Sequence, residues 1–437
     1  MRIRVRPARR LAGRVAVPGD KSISHRAALL GALASGRTEI TGFLEGEDCL
    51  ATLRAVRALG AEVTRKGPGH YLVDGAGLDG LTEPDNVIDC GNSGTGARLL
   101  VGVLAGQPFW TVLTGDDSLR SRPMERVAEP LRRMGATVVG RREGSRLPLA
   151  VRGARPLRAL TYASPVASAQ VKTALLLAGL WADGPVTVRE PTPSRDHTER
   201  MLGGFGARLT AGPEGITLTP GAPLAGQPVA VPGDISSAAF FLVAAAVAPD
   251  AEVTVTQVGT NPTRTGVLEV LRAMGASIQS VTDSHAAAEP FADLVVRGGA
   301  LRGAEIGGAL VPRLIDEVPI LAVAACFAEG PTEIRDAAEL RVKESDRIRA
   351  IATELGRLGA RVTERPDGLR LEGGARLRGA VVQSGGDHRM AMALVVAGLL
   401  ADGETVVEDT ECIATSFPGF LNAVNDLAGT QAARIES

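Results

Sequence analysis

Val17-Pro18-Gly19-Asp20 recurs, letter for letter, as Val231-Pro232-Gly233-Asp234, 214 residues further along a chain of 437. Two such spans nearly fill the chain, so the repeat reads as one layout used twice. Proline presets one backbone torsion and glycine admits torsions closed to other residues, which makes Pro-Gly a turn. Each copy leads into a helix-like run of small apolar residues. The two turns are therefore expected where the chain passes between halves, as a paired hinge. Residues 20–231 form one domain in this reading, and residues 1–19 with 232–437 form the other. Arg2-Ile3-Arg4-Val5-Arg6 alternates with period two and reads as a strand. The stretch before the first turn, Met1–Val17, is expected to complete the second domain.

A shorter unit repeats within each half. A polar start, an Ala-rich helix, a turn and a β-branched strand occur six times. The helical parts include Ala27–Ala34, Ala97–Ala105, Thr173–Ala182, Ala238–Ala248, Pro319–Ala328 and Ala391–Ala401. Their closing turns, near Gly36, Gly106, Gly184, Asp250, Gly330 and Gly403, lie 66–80 residues apart. A second helix in each unit stops on Gly-Ala before a strand, as in Leu59-Gly60-Ala61, Met134-Gly135-Ala136, Phe205-Gly206-Ala207, Met274-Gly275-Ala276 and Leu358-Gly359-Ala360. Glycine just past a helix is the expected stop signal. The sixth copy, around Leu421–Leu427, is degenerate. Units near 70 residues are longer than the roughly 20–50 of solenoid repeats. The predicted fold is α/β, with six βα units, three per domain.

The six helix starts carry nearly all the unusual polar residues. They read Asp20-Lys21-Ser22-Ile23-Ser24-His25-Arg26, Asn92-Ser93-Gly94-Thr95-Gly96-Ala97-Arg98, Ser168-Ala169-Gln170-Val171-Lys172, Asp234-Ile235-Ser236-Ser237, Asp316-Glu317 and Asp387-His388-Arg389. Capping accounts for Ser, Asp and Asn. It does not account for Lys and Arg in a first turn, where the helix dipole disfavours cations. An anion bound between them would favour both the cations and the exposed N–H groups. Like units present like ends, so the starts are expected to converge on a polyanion. Three loops add to this: Thr114–Met124, where Pro123 holds Arg122 extended; Pro193–Thr198, containing Arg195; and Leu340–Arg349. Taken alone, the last reads as a solvated, salt-bridged helix start.

Composition narrows the classes further. Lys+Arg is 48, Asp+Glu is 49 and aromatics are 3%, so no bulk basic field or stacking surface exists for nucleic acid. Only four of the 48 basic residues are lysines: Lys21, Lys66, Lys172 and Lys343. A chain that uses Arg wherever charge suffices keeps Lys where a compact ammonium is needed. Lys66, beside Gly67-Pro68-Gly69, reads as a surface loop, and the other three lie in the motifs. Cys49, Cys90, Cys326 and Cys412 are far apart, and His25, His70, His197, His285 and His388 have no metal-ligand spacing. No P-loop, dinucleotide fingerprint or serine elbow is present. No apolar run long enough to span a membrane and no secretory signal are seen, so a cytoplasmic protein is expected.

Gly19–Arg26, Gly91-Asn92-Ser93-Gly94-Thr95, Ser168-Ala169-Gln170, Arg341-Val342-Lys343-Glu344-Ser345-Asp346-Arg347 and Asp387-His388-Arg389-Met390-Ala391 occur in the order found in the 5-enolpyruvylshikimate-3-phosphate synthases. The chain resembles that family over essentially its whole length. The resemblance implies an inside-out α/β barrel in two threefold domains that close like a clam. It also implies a cytoplasmic monomer acting on shikimate 3-phosphate and phosphoenolpyruvate, with no metal and no organic cofactor. Lys21, Ser22, Arg26, Ser168, Ala169, Gln170 and Arg195 are implied to hold shikimate 3-phosphate, with Asp316 and Lys343 at its 5-hydroxyl. Lys21, Gly94, Arg122, Gln170, Arg347 and Arg389 are implied for phosphoenolpyruvate. Asp316, Glu344 and Lys21 are the implied catalytic groups. Thr415, where many members have Lys, and Ser168–Lys172 resemble the family's second class. Two alternatives compete. A UDP-N-acetylglucosamine enolpyruvyl transferase usually has Lys-Asn in place of Lys21-Ser22 and a Cys in the loop corresponding to Asp116–Arg122. A nucleic-acid-binding repeat protein would need the basic field that is missing here.

Overall fold

The small-residue runs fold as six helices: α1 (Lys21–Leu33), α2 (Gly94–Leu104), α3 (Ala169–Gly179), α4 (Ile235–Val247), α5 (Val318–Phe327) and α6 (His388–Leu400). The computed structural model describes residues 1–8, 10–284 and 289–436, so His285 lies outside the described residues. Five of the helices start on the expected polar residues. Asp20 accepts from Ile23 N, Ser93 from Gly96 N, Ser168 from Val171 N, Asp234 from Ser236 N, and Asp387 from Arg389 N and Met390 N. α5 has no side-chain cap and carries Pro319 in its first turn, where a missing N–H costs nothing.

The chain divides into two units, each with its own apolar core. The middle unit is Gly19–Val231; the terminal unit is Met1–Pro18 with Pro232–Ser437. α1–α3 lie in the first and α4–α6 in the second. These helices are apolar on every side and are buried along almost their whole length. Ala and Gly at the helix contacts allow the backbones to meet. At Gly102 of α2, a β-carbon would stand 2.4 Å from the Ala174 carbonyl oxygen and 2.7 Å from the Ala174 Cα of α3.

Among the described residues three four-stranded sheets surround the helices of each unit, and all six share one pattern: a parallel pair, then two antiparallel neighbours. In one of them Val229–Ala230 runs parallel to Ser35–Thr41, which pairs antiparallel with His70–Ala76, and that with Glu62–Gly67. Thr38, Ile40, Tyr71 and Val73 point inward, while Arg37 and Glu39 face water. Lys66 is exposed on the edge strand of this sheet rather than in a loop. The expected sixth outer helix is Phe420–Ala428, closed by Gly429 at φ 64.

The N-terminal stretch is two strands, not one. Arg2–Val5 pairs with Thr405–Glu408 and Ala433–Glu436, whereas Ala12–Ala16 runs parallel to Glu252–Gly259 in another sheet. Pro7 separates them, since it has no N–H for a ladder. Both strands belong to the terminal unit. Each unit also ties down its own side of the Pro-Gly turns. In the middle unit Val231 N donates to Thr41 O (2.9 Å), and Gly42, at φ +71, leaves no room for a β-carbon beside Val231. In the terminal unit Asp234 N donates to Pro18 O (2.9 Å) and Gly233 N to Gln257 O (2.8 Å).

Gly102→Ala forces α2 and α3 apart. It is expected to destabilise the protein by about 1–3 kcal/mol, as overpacking of a close core does, read as a lowered midpoint in thermal or urea unfolding.

Candidate functional site

In the middle unit the first turns of α1, α2 and α3 meet. His25 Nδ1 lies 2.7 Å from Thr52 Oγ1, and its Nε2 lies 3.4 Å from Ser93 Oγ. Arg98 Nη1 donates to Gln170 Oε1 (2.8 Å), and Gln170 Nε2 donates to Thr95 Oγ1 (2.9 Å). Arg26 is buried and donates to Thr198 Oγ1 (2.7 Å), Thr173 Oγ1 (2.7 Å) and the Ser22 carbonyl (2.9 Å). Arg122 is extended at φ -77, ψ 147, as a residue before proline should be. It donates to Asn92 Oδ1 (2.8 Å) and Ser118 Oγ (3.0 Å). A β-carbon on Gly94 would sit 2.9 Å from Arg98 Nη1 and 3.2 Å from Arg122 Nη1, so glycine here leaves room for the two guanidinium groups. Lys21 Nζ pairs with buried Asp48 Oδ2 at 3.1 Å.

These contacts place Lys21, Ser22, Arg26, Gly94, Arg122 and Gln170 at the joined helix starts. Ser168 caps α3, Ala169 opens it, and Arg195 lies in the loop leading to helix His197–Gly204. The hydroxyl, amide and carbonyl oxygens that accept from Arg26, Arg98 and Arg122 fix the direction of each guanidinium. His25, enclosed beside Lys21 and Arg26, is held well below the ordinary imidazole range by burial and then by those two cations. It is neutral near pH 7 and adds no further charge.

The first turns of α4, α5 and α6 meet in the terminal unit, and their chemistry differs. Arg347 is fully buried. Its guanidinium reaches Asp387 Oδ2 (2.8 Å), Glu344 Oε2 (2.6 Å) and Asp316 Oδ1 (3.3 Å). Lys343 Nζ approaches the same Asp316 oxygen at 3.4 Å. Arg389 Nη1 donates to the Asp316 carbonyl (3.4 Å) and lies 3.8 Å from Glu317 Oε1. Burial alone would lower the Arg347 pKa, but the surrounding carboxylates, Asp387 first, outweigh it and raise it. Burial would likewise raise Asp387, yet Arg347 holds it below its ordinary value of 3.8. The Leu340–Arg349 stretch is thus a solvated helix start only in part. Arg341 sits near the surface on Asp346 and Glu364, whereas Arg347 turns inward. The Thr415 hydroxyl donates locally to the Cys412 carbonyl at 2.7 Å.

Arg98 and Glu317 stand in the quoted helix starts without an assigned role, and Arg264 lies outside the quoted motifs. Arg98 stands one turn after Gly94 and orients Gln170. Glu317 accepts from Ser236 Oγ and lies near both Arg264 and Arg389. Arg264 donates to Ser236 Oγ at 2.7 Å. It follows Asn261-Pro262-Thr263, and a proline loop bearing Arg ahead of a helix is the signal that had marked Arg122 and Arg195. None of the four cysteines lies in the Asp116–Arg122 loop. Burial pushes the Cys90 and Cys326 thiols up to about 12, so neither is a ready thiolate.

Two threefold units with polar helix starts define a class of protein before they define a member of it. NikO, an enolpyruvyl transferase of Streptomyces tendae, shares the fold at a TM-score of 0.79 and 20% identity, over 98% of this chain and 97% of its own. The sequence pattern of the EPSP synthase (3-phosphoshikimate 1-carboxyvinyltransferase) family matches residues 5–424. The 3-phosphoshikimate 1-carboxyvinyltransferase of Geobacter sulfurreducens is 57% identical over 422 residues, covering 97% of this chain and 98% of its own. EPSP synthase from Acinetobacter baumannii matches with a TM-score of 0.89 at 44% identity, covering 100% of both chains. The chain belongs to the EPSP synthase family.

Asp387→Asn removes the fully buried one of the carboxylates that pair with Arg347, and is expected to cost about 3 kcal/mol at neutral pH. Because the folded protein holds Asp387 below its ordinary value of 3.8, its contribution is full above that value and is lost as pH falls through the lower folded-state value. Urea unfolding across this range should show the two proteins differing at pH 7 and converging in acid.

Proposed function

We infer that the chain is a 3-phosphoshikimate 1-carboxyvinyltransferase. It transfers the enolpyruvyl group of phosphoenolpyruvate to the 5-hydroxyl of shikimate 3-phosphate and releases phosphate, a step of the shikimate pathway toward aromatic amino acids. The observation that carries this reading is the pairing of chemistries at the helix starts. The middle unit gathers oriented cations suited to phosphate and carboxylate. In the terminal unit one guanidinium holds two candidate proton carriers, Asp316 and Glu344. Family membership favours this acceptor over UDP-N-acetylglucosamine and over nucleic acid.

Lys21, Ser22, Arg26, Ser168, Ala169, Gln170 and Arg195 then bind shikimate 3-phosphate, with Asp316 and Lys343 at its 5-hydroxyl. Lys21, Gly94, Arg122, Gln170, Arg347 and Arg389 bind phosphoenolpyruvate. Asp316 takes the hydroxyl proton as the oxygen attacks, and protonated Glu344 delivers a proton to the methylene carbon. Glu344 recovers that proton as phosphate leaves from the tetrahedral adduct, and the proton taken up by Asp316 passes to the departing phosphate, so both carboxyl groups return to their starting forms. Lys21 and the arginines stabilise the moving charge. Residues of both units serve the same substrates, so turnover requires closure about the Pro-Gly turns. This reading takes the protein as a cytoplasmic monomer that needs no metal or organic cofactor. Among the described residues no helix is long and apolar enough to cross a membrane.

Purified protein should release phosphate from phosphoenolpyruvate when given shikimate 3-phosphate, without added metal, in a continuous phosphate assay. Release with UDP-N-acetylglucosamine and none with shikimate 3-phosphate would overturn the assignment.

Lys21→Arg keeps the charge but replaces a compact ammonium with a bulkier plane beside Asp48. Misplacement by ~1 Å can cost about 100-fold in rate, so turnover should fall by roughly that factor in a folded protein. Steady-state kinetics within about threefold of the parent would reduce Lys21 to an electrostatic anchor.

A further inference from the structure

Lys172 is one of four lysines in the chain, and no step above uses it. It lies in the first turn of α3, four residues after Ser168. Its side chain is 4% exposed, and those of its partners Glu190 and Glu199 are 7% and 13% exposed. Lys172 Nζ reaches Glu190 Oε2 (2.9 Å), Glu199 Oε1 (2.7 Å) and the Ser194 carbonyl (3.4 Å). An ammonium has three donors, and three acceptors surround this one.

Glu190 extends the cluster in two directions. Its Oε1 accepts from the backbone N–H of Ser168 at 2.9 Å. Its Oε2 accepts from Ser194 Oγ at 2.9 Å and from Ser194 N at 3.3 Å. Ser168 begins the Ser168–Gln170 segment, and Ser194 immediately precedes Arg195. One carboxylate, anchored by one buried ammonium, therefore joins two segments that are far apart in sequence and are both assigned to the acceptor. Glu199 ties the same ammonium to helix His197–Gly204, whose Thr198 also accepts from Arg26.

Stability alone does not require such a cluster, because apolar side chains of the same volume would usually serve as well or better. A lysine supplies here a compact ammonium with three donors on one atom, in a chain that uses arginine for nearly all its other basic residues.

We propose that Lys172 and Glu190 are positioning residues for acceptor binding, clamping the Ser168 and Arg195 segments in the geometry that receives the phosphorylated substrate. The proposal rests on the functional reading above for the identity of that substrate, though the clamp itself can be tested without it.

The test compares Lys172→Met and Glu190→Gln with the parent, using two readouts. In ligand-free protein, hydrogen exchange at the Ser168 and Ser194 amides should quicken by about 10-fold or more, while amides of α1 and α2 are unaffected. In steady-state kinetics, KM for shikimate 3-phosphate should rise by about 10-fold or more, kcat should fall less than about threefold, and KM for phosphoenolpyruvate should stay within about threefold. Unchanged exchange at both amides in either folded variant would overturn the clamp. Faster exchange with an unchanged KM for shikimate 3-phosphate would overturn the positioning role and leave a structural one. A parent protein inactive with shikimate 3-phosphate would sink the functional reading instead, with the exchange measurement still deciding the clamp. Glu190→Gln keeps size and one acceptor, so it remains informative if Lys172→Met does not fold.

Discussion

The middle unit depends on helices approaching one another more closely than large side chains allow. Gly102 against Ala174 shows how little space there is: the α2 and α3 backbones would collide with a single added methyl group. Helices this close are apolar all round, so no polar face is available for function along their length. The polar residues are left at the ends. The starts of the three helices come together, as the His25–Ser93 and Arg98–Gln170 contacts show in one unit and the Ser236–Glu317 and Arg389–Asp316 contacts in the other. The same constraint that forms the core thus gathers unpaired N–H groups, positive dipole ends and polar side chains at one place.

The two units use this common geometry differently. The middle unit holds Arg26, Arg98 and Arg122 on hydroxyl, amide and carbonyl oxygens, which fixes their direction. The terminal unit surrounds Arg347 with carboxylates. That arrangement is expensive in burial and is not the most stable filling of the space. Its effect is positional, because one rigid fork fixes Asp316, Glu344 and Asp387 relative to each other. Cations held on neutral acceptors and carboxylates held on a buried cation are thereby separated along the chain, one set in each unit.

A second tier of residues supports the first. Asp48 fixes Lys21, Arg98 fixes Gln170, and Lys172 with Glu190 fixes the segments bearing Ser168 and Arg195. All are buried or nearly so, and each satisfies its partner at hydrogen-bond distance. Loose side chains at these places would let Lys21, Gln170 and the Ser168 and Arg195 segments shift relative to one another.

Much of this was legible in the sequence. The duplicated Val-Pro-Gly-Asp turn, the six small-residue helices and their polar starts all follow from local chemistry: proline and glycine set torsions, and Ser, Asp and Asn cap helices where they stand. Lys21, Arg26 and Arg389 stood out for the same reason, since capping could not explain cations in a first turn, whereas Ser168, Ala169, Gln170, Asp316, Lys343 and Glu344 received their roles only from the family resemblance. Other features were beyond a reading of local pattern. That the segment before the first turn is two strands in two sheets depends on ladders to Thr405–Glu408 and Glu252–Gly259, hundreds of residues away. That Arg341 meets solvent while Arg347, six residues later, is buried among three acids depends on where Asp316 and Asp387 lie in space. Lys172 could be flagged by its rarity, but its partners Glu190 and Glu199 look like ordinary surface acids until folding encloses them. Local propensity acts over a few residues and can be read from them; burial and charge pairing are properties of neighbours that only the tertiary structure supplies.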